Sequence, residues 1–343
     1  MRNESRKEFR WGIASLVEEP MPSYAERARH HEELGYRDIW IPDERLLRNV
    51  YVSLATVATA TTRIGMGTAV TNPYTRHPAH TAAAIATIDE LSGGRARLAL
   101  GAGGGLDAYG IARTRPVTTL RESIEVIRGL LANETLRYEG EIFTLRNAQI
   151  DFDVSPVPIY LAGRGPQILT LAGEVADGAI IGGFATESGI HYAQDLIDRG
   201  VAKAGRRPDD VDRMAWIYIS VSDDPAAART AVSKMVLASL ITSRPILDKL
   251  GIDIPPALRD HLDSTGWRYP LETPAQASAL LPDEIVNAFA VHGTPADCLE
   301  QLKAVRRAGI DHVTFVPFPP AGDTLDRLAE RIARDVVPSL LEQ

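Results

Sequence analysis

Ile64-Gly65-Met66-Gly67-Thr68-Ala69-Val70, the segment Ala79 to Leu91, the pair Gly93-Gly94, and Ala96-Arg97-Leu98-Ala99-Leu100 running into Gly101-Ala102-Gly103-Gly104-Gly105 together decide the fold. The two short apolar runs read as strands. The Ala/Ile segment between them spaces its apolar residues helically, and the glycine pair stops that helix because glycine takes a left-handed conformation without steric cost. Strand, helix, strand within so few residues is one crossover unit, and crossovers join parallel strands whose two faces are both covered.

The same rhythm extends in both directions. Upstream, Trp11 to Val17 is a strand followed by a helix from Tyr24 to Leu34 that stops at Gly35. Asp38 to Asp43 is a second strand, followed by an Ala/Thr/Val-rich helix from Tyr51 to Thr62. Downstream, the helix Leu120–Leu131 precedes further strands at Pro158 to Ala162, Gly178 to Ile181, Met214 to Val221 and His312 to Val316. Helices over Gln167–Ala176, Ile190–Ala204, Pro225–Leu240, Ala296–Ala308 and Leu325–Val337 alternate with them. Two segments break the rhythm. Residues 136–153 alternate apolar and polar around Glu139-Gly140-Glu141, which predicts a hairpin. Residues 241–291 contain many prolines and predict a helical, lid-like insertion. About eight units favour an α/β fold, a single (β/α)8 TIM barrel over residues 1–343, with these two insertions. A Rossmann-like open sheet is the runner-up. It fits less well because the glycine cluster follows the fourth strand and lacks the dinucleotide spacing and its downstream acid.

Composition narrows the function. An excess of 45 Asp+Glu over 37 Lys+Arg gives a net charge of −8, against a sequence-independent grip on nucleic acid. The single cysteine, Cys298, cannot form an internal disulfide or a cysteine-rich zinc site, so the expected compartment is the reducing cytoplasm. The first ten residues are polar and charged, unlike a secretory signal, and no window approaches the roughly 20 apolar residues of a membrane span. His30 and His31 are expected on the surface of the first helix, and Cys298 packed inside a late one. No metal-ligand spacing and no G-x-S-x-G elbow occurs.

In a barrel, function gathers where strands end. Glu18 and Glu19 follow the first strand, either as solvated loop acids or with one facing inward, its pKa raised. Asp43 ends the second strand, either as a helix cap or rim ion pair with Arg45, or as a polar anchor beside Trp40 in an apolar pocket. Gly163-Arg164-Gly165-Pro166 joins the fifth strand to a helix. It is either a tight turn or a cradle whose backbone N–H groups and arginine hold a phosphate, and Gly182-Gly183, one unit later, favours an anionic ligand.

Thr71-Asn72-Pro73-Tyr74-Thr75-Arg76-His77-Pro78, Leu91-Ser92-Gly93-Gly94-Arg95, Leu100-Gly101-Ala102-Gly103, Tyr160-Leu161-Ala162-Gly163-Arg164-Gly165-Pro166 and Glu174-Val175-Ala176-Asp177-Gly178 occur in order. As a set they resemble the bacterial luciferase-like flavin-dependent oxidoreductase superfamily. The nearest branch is the coenzyme F-420-dependent methylenetetrahydromethanopterin reductases. Gly293 to Asp297 and Ala308 to His312 match the closing helix and strand of that family.

The resemblance implies an isoalloxazine-type ring over the barrel mouth, backed by a non-prolyl cis peptide within Gly67 to Thr71, so that Ala69, Val70 and Thr71 touch the cofactor. It implies Asp43 beside the ring, Gly101 and Gly103 lining the site, a phosphate loop of Ala162, Gly163, Arg164 and Gly165 with Gly182 and Gly183, and Glu18 or Glu19 as proton donor. Many relatives carry histidine where this chain has Glu44, which weakens transfer of a proton-donor role to that position. The implied activity is F-420 (deazaflavin)-dependent hydride transfer to or from an electron-poor C=N or C=C bond of a small organic substrate, in a homodimer or larger homo-oligomer. The alternatives are an FMN-dependent luciferase-like monooxygenase and a non-catalytic flavin- or ligand-binding barrel.

Overall fold

The computed structural model describes residues 8–268 and 272–341. In chain order the described strands are β1 (Arg10–Ala14), β2 (Asp38–Ile41), β3 (Gly65–Thr68), β4 (Ala96–Leu100), β5 (Leu136–Glu139), β6 (Thr144–Ala148), β7 (Ile159–Gly163), β8 (Gly178–Gly182), β9 (Asp212–Val221), β10 (Ala290–Gly293) and β11 (His312–Pro317). Neighbours follow the order β9-β11-β1-β2-β3-β4-β7-β8, and β8 pairs again with β9. Eight parallel strands with intervening helices therefore close into the expected (β/α)8 barrel. No described helix is long and apolar enough to cross a membrane.

Contacts divide the chain into two compact units. The first comprises residues 14–180 and 196–212. Its core is set by β2, β3, β4 and β7. Trp40 is fully buried and meets Tyr160 edge-on, with ring centroids 5.3 Å apart. A side chain at Gly67 would lie 2.6 Å from the Trp40 ring, so a residue without Cβ is required where β3 passes the indole. Arg95 ties two helix ends to the start of β3, donating to the carbonyls of Ala58, Thr61, Ile64 and Ser92. Glu32 does the converse: its carboxylate accepts the backbone N–H groups of Thr62, Arg63 and Ile64.

The predicted hairpin forms in this unit, with Leu136 opposite Ala148, Tyr138 opposite Leu145 and Glu139 opposite Thr144. Its turn is held by Glu122, a buried residue of the helix Pro116–Leu131, whose carboxylate accepts the N–H groups of Glu141, Ile142 and Phe143 at 2.7, 2.9 and 3.0 Å. Burial pushes the Glu122 pKa up, but these three bonds and the nearby Arg115 outweigh it and hold the group below its ordinary value of 4.5. A depressed folded-state pKa means stability that is present above pH 4.5 and lost as pH falls through the folded value. Glu122→Ala should cost about 2 kcal/mol by leaving buried N–H groups without an acceptor. It should also flatten the acid limb of a pH-stability curve measured by urea unfolding.

The second unit comprises residues 8–13, 181–195, 213–268 and 272–341. Within it β9 pairs in parallel with β11 and with β10. The insertion is helical as expected, with short helices at Leu247–Leu250, Pro256–Ser264, Pro274–Leu280 and Asp283–Phe289. Arg229, on the helix Pro225–Thr242, fastens it by bonds to Asp283, Ser278 and Leu281.

Two expectations need correction. The insertion does not run unbroken to residue 291: Ala290–Gly293 is a strand aligned with Tyr218 to Val221. Phe289-Ala290-Val291 is one apolar run straddling a helix end, with no turn residue to announce the change. His31 is not a surface residue. It is buried at 3% exposure against Tyr36, ring centroids 5.5 Å apart, because it lies on the inner face of the helix Met21–Glu33 with Tyr24 and Ala28.

Candidate active site

Asp43 follows β2 by one proline and is half-buried. Neither simple role, helix cap nor partner of Arg45, is the one it plays. Asn49 caps the next helix, Val50–Ala60, and Arg45 lies beside Glu18 and Glu44. Instead Thr71 Oγ1 donates to Asp43 Oδ2 at 2.7 Å. Thr71 is itself fixed: fully buried, it donates its N–H to the Ala99 carbonyl and accepts from the Gly101 N–H, joining the end of β4. One carboxylate oxygen is thus held by a buried side chain whose backbone is bonded on both sides.

Between β3 and Thr71 the Ala69–Val70 peptide bond is cis and non-prolyl, within the segment where the family resemblance places it. The Ala69 N–H bonds the Ile41 carbonyl at 2.8 Å. Gly101 faces this bulge; a Cβ there would come within 2.6 Å of Val70 Cγ2, so glycine is what lets Val70 reach the end of β4. Ala69, Val70, Thr71, Gly101 and Asp43 are therefore brought together.

Tyr51 belongs to the same neighbourhood and has no signature in the sequence. It is buried, with the Arg76 guanidinium 4.7 Å above its ring. Burial raises its pKa, Thr81, Thr71 and Arg76 oppose the rise, and Asp43 adds to it. Arg113 is another residue that spacing does not reveal. It holds the glycine loop after β4 by donating to the carbonyls of Ala102 and Gly103 at 2.8 and 2.5 Å.

Glu18 and Glu19 part company. Glu19 is half-buried in an ion pair with Arg27 at 2.6 Å. Glu18 is exposed, and Arg48 fixes its backbone by donating to the Glu18 carbonyl at 2.7 Å. Its carboxylate lies only loosely beside Arg45, at 3.7 Å. Glu19 is committed to an ion pair, whereas the Glu18 carboxylate is exposed.

The loop after β7 places Ala162, Gly163, Arg164 and Gly165 at the start of the helix Pro166–Val175. Gly165 occupies the cap position and has no side chain to cap the first turn; Pro166 carries no N–H, so the Gln167 and Ile168 amides are the ones left without a side-chain cap. Gly163 is needed sterically, since a Cβ would fall 2.8 Å from Ile168 Cγ2. Arg164, half-buried, adds a guanidinium. Gly182 and Gly183 belong to the second unit. There Gly183 has φ +65° and donates to the Trp216 carbonyl at 3.0 Å, leading into the buried Phe184.

A family model described as luciferase-like monooxygenase matches residues 9–312. The chain belongs to the luciferase-like family. Among its relatives is a 5,10-methylenetetrahydromethanopterin reductase of Methanolobus tindarius, 35% identical over 95% of this luciferase-like chain and 99% of the relative. An F420-dependent glucose-6-phosphate dehydrogenase of Rhodococcus erythropolis is 32% identical over 84% of this chain and 82% of its own length. The solved structure of a coenzyme F420-dependent tetrahydromethanopterin reductase from Methanopyrus kandleri superposes with TM-score 0.84 at 26% identity, covering 97% of this chain and 99% of the other.

Proposed function

We propose that the protein is a coenzyme F420-dependent oxidoreductase moving a hydride to or from an electron-poor C=N or C=C bond of a small organic substrate. The observation that supports it most is 35% identity maintained over 95% of the chain to a methylenetetrahydromethanopterin reductase, which a shared barrel alone does not require.

The residues present fit such a cofactor. Uncapped amides at the start of a ten-residue helix, with Arg164 beside them, suit a phosphate. The Val70 bulge, with Gly101 clearing space for it, suits a flat ring. Bound there, the deazaflavin supplies a carbon that gives or takes a hydride. The chain's own part is to orient and to manage charge. Arg164 and the helix amides hold the phosphate, and Val70 and Thr71 support the ring. Thr71 fixes one oxygen of Asp43, leaving the other to hold a proton or a ligand N–H. Glu18 exchanges the proton with solvent.

Titration of the purified protein with F420 and with FMN, followed by cofactor fluorescence, tests this reading. F420 should bind and FMN should not, and Arg164→Ala should weaken F420 binding about tenfold or more. Tight FMN binding with oxygen consumption on reduction would replace the proposal with a monooxygenase, and binding of neither cofactor would remove the redox reading.

A further inference from the structure

An open cavity of about 580 Å³ lies in the second unit between the loop that follows β9 and the loop that follows β11. Those are the seventh and eighth strands of the barrel in chain order. In (β/α)8 barrels generally, the loops after these two strands frequently form a phosphate site. The walls here are Ser222 on one side, Ala321 and Gly322 on the other, and a row of arginines, Arg327, Arg331 and Arg334, along the last helical segment.

We infer that this cavity is a second anion site, for a phosphate monoester or inorganic phosphate, separate from the loop at Arg164. The carboxylates near it face other groups than Arg327. Arg331 holds Asp223 at 2.6 Å and lies 3.7 Å from Asp335, Arg334 lies 3.7 Å from Glu330, and Asp323 accepts from the Thr324 N–H at 2.8 Å. Arg327 is different: its guanidinium has no ion pair or hydrogen bond among the described residues, although it opens on the same cavity. A planar guanidinium with all its donors unused is matched to a phosphate or carboxylate edge.

Three further donors point to the same ligand. The Ser222 hydroxyl oxygen accepts from the Asp224 N–H at 3.1 Å, so its O–H remains available to donate. The N–H groups of Ala321 and Gly322 have no acceptor among the described residues, and Gly322 sits at φ +87°, a turn that lets successive amides face one side. The helix opens into a π turn over Ile332–Val336 beside the arginines, a distortion that recurs at functional sites. This site does not depend on which redox cofactor the barrel takes.

The test is calorimetric titration of the Arg164→Ala protein, whose phosphate loop is impaired, with inorganic phosphate, glucose 6-phosphate and glucose. Phosphate and the sugar phosphate should bind and glucose should not. Adding Arg327→Ala should weaken binding about tenfold or more, Arg327→Lys should recover part of it by restoring charge without the fork, and Ser222→Ala should weaken it several-fold. Stronger binding of the sugar phosphate than of phosphate assigns the anion to a phosphorylated organic ligand; equal binding assigns a site for the free ion. Phosphate binding that Arg327→Ala leaves unchanged, or no binding of either anion, overturns the inference. Unfolding curves of the variants, which alter an exposed and a half-exposed residue, separate loss of the site from loss of the fold.

Discussion

Gly200→Ala is expected to lower the unfolding free energy by about 3 kcal/mol, although alanine is the better helix former by about 1 kcal/mol. The helices Pro166–Val175 and Glu187–Lys203 touch backbone to backbone where Gly173 meets the segment around Gly200. A Cβ on Gly200 would press into the Thr170 carbonyl, 2.9 Å from its carbon and 3.0 Å from the Glu174 nitrogen. The reverse substitution at Gly173 meets the Ile197 carbonyl oxygen and the Val201 nitrogen, the latter at 2.8 Å. Both obstacles are main chain, so no rotamer change relieves them and the helices must separate. Separation would also loosen the ion pairs over the same crossing, where Glu174 meets Lys203 at 2.8 Å and also binds Arg121. The helix that moves is the one whose first turn follows Gly163 to Gly165, so cofactor affinity should fall together with stability. Gly104→Ala is the control: nothing lies within 4 Å of a Cβ there, and its urea midpoint should stay near that of the parent. Equal midpoints for Gly200→Ala and the parent would show that the two helices part at no cost.

What was legible in the residues follows from what strands and turns require locally. The eight barrel strands announce themselves because buried parallel strands are short apolar runs bounded by Gly, Pro or Asp, and the hairpin because its residues alternate about Gly140. Asp224-Pro225 is readable as a helix start, and Asp224 does cap the amides of Ala226 and Ala227. β10 was not legible, since a strand of four residues emerging from a helix leaves no change of period to detect. In the candidate site, Asp43, Arg164 and the glycines are recognisable because they sit at strand ends. The Thr71 bond to Asp43, the Arg76–Tyr51 stack and the grip of Arg113 on the glycine loop join residues 28, 25 and about 10 positions apart. No periodicity encodes such pairings, because the closed sheet creates them. The same holds for Glu19: adjacent carboxylates look alike in sequence, and only the position of Arg27, nearly two turns into the next helix, separates them.

Asp43→Asn should reduce kcat about a hundredfold while leaving F420 affinity within a few-fold of the parent, on the proposal that Asp43 handles a proton or a developing charge at the ring. The substitution is nearly isosteric. An amide oxygen can still accept from Thr71 Oγ1, which now donates at 2.7 Å, so the side chain should keep its place and lose only its charge and proton. Asp43→Ala removes the acceptor as well and leaves a fully buried threonine hydroxyl unpartnered, so it should lose stability in addition to turnover. Thr71→Val discriminates between charge and orientation. It keeps the shape at the cis bulge and deletes the bond that fixes Asp43, and a fall in kcat of about tenfold would assign to Thr71 a positioning role. The decisive comparison is the split between kcat and KM across the three variants. If Asp43→Asn turns over at the parent rate, the carboxylate serves only to hold Thr71, and the proton is then handled by another acid at these strand ends, for which the exposed Glu18 beside Arg45 is the first to substitute and the exposed Glu44 the second.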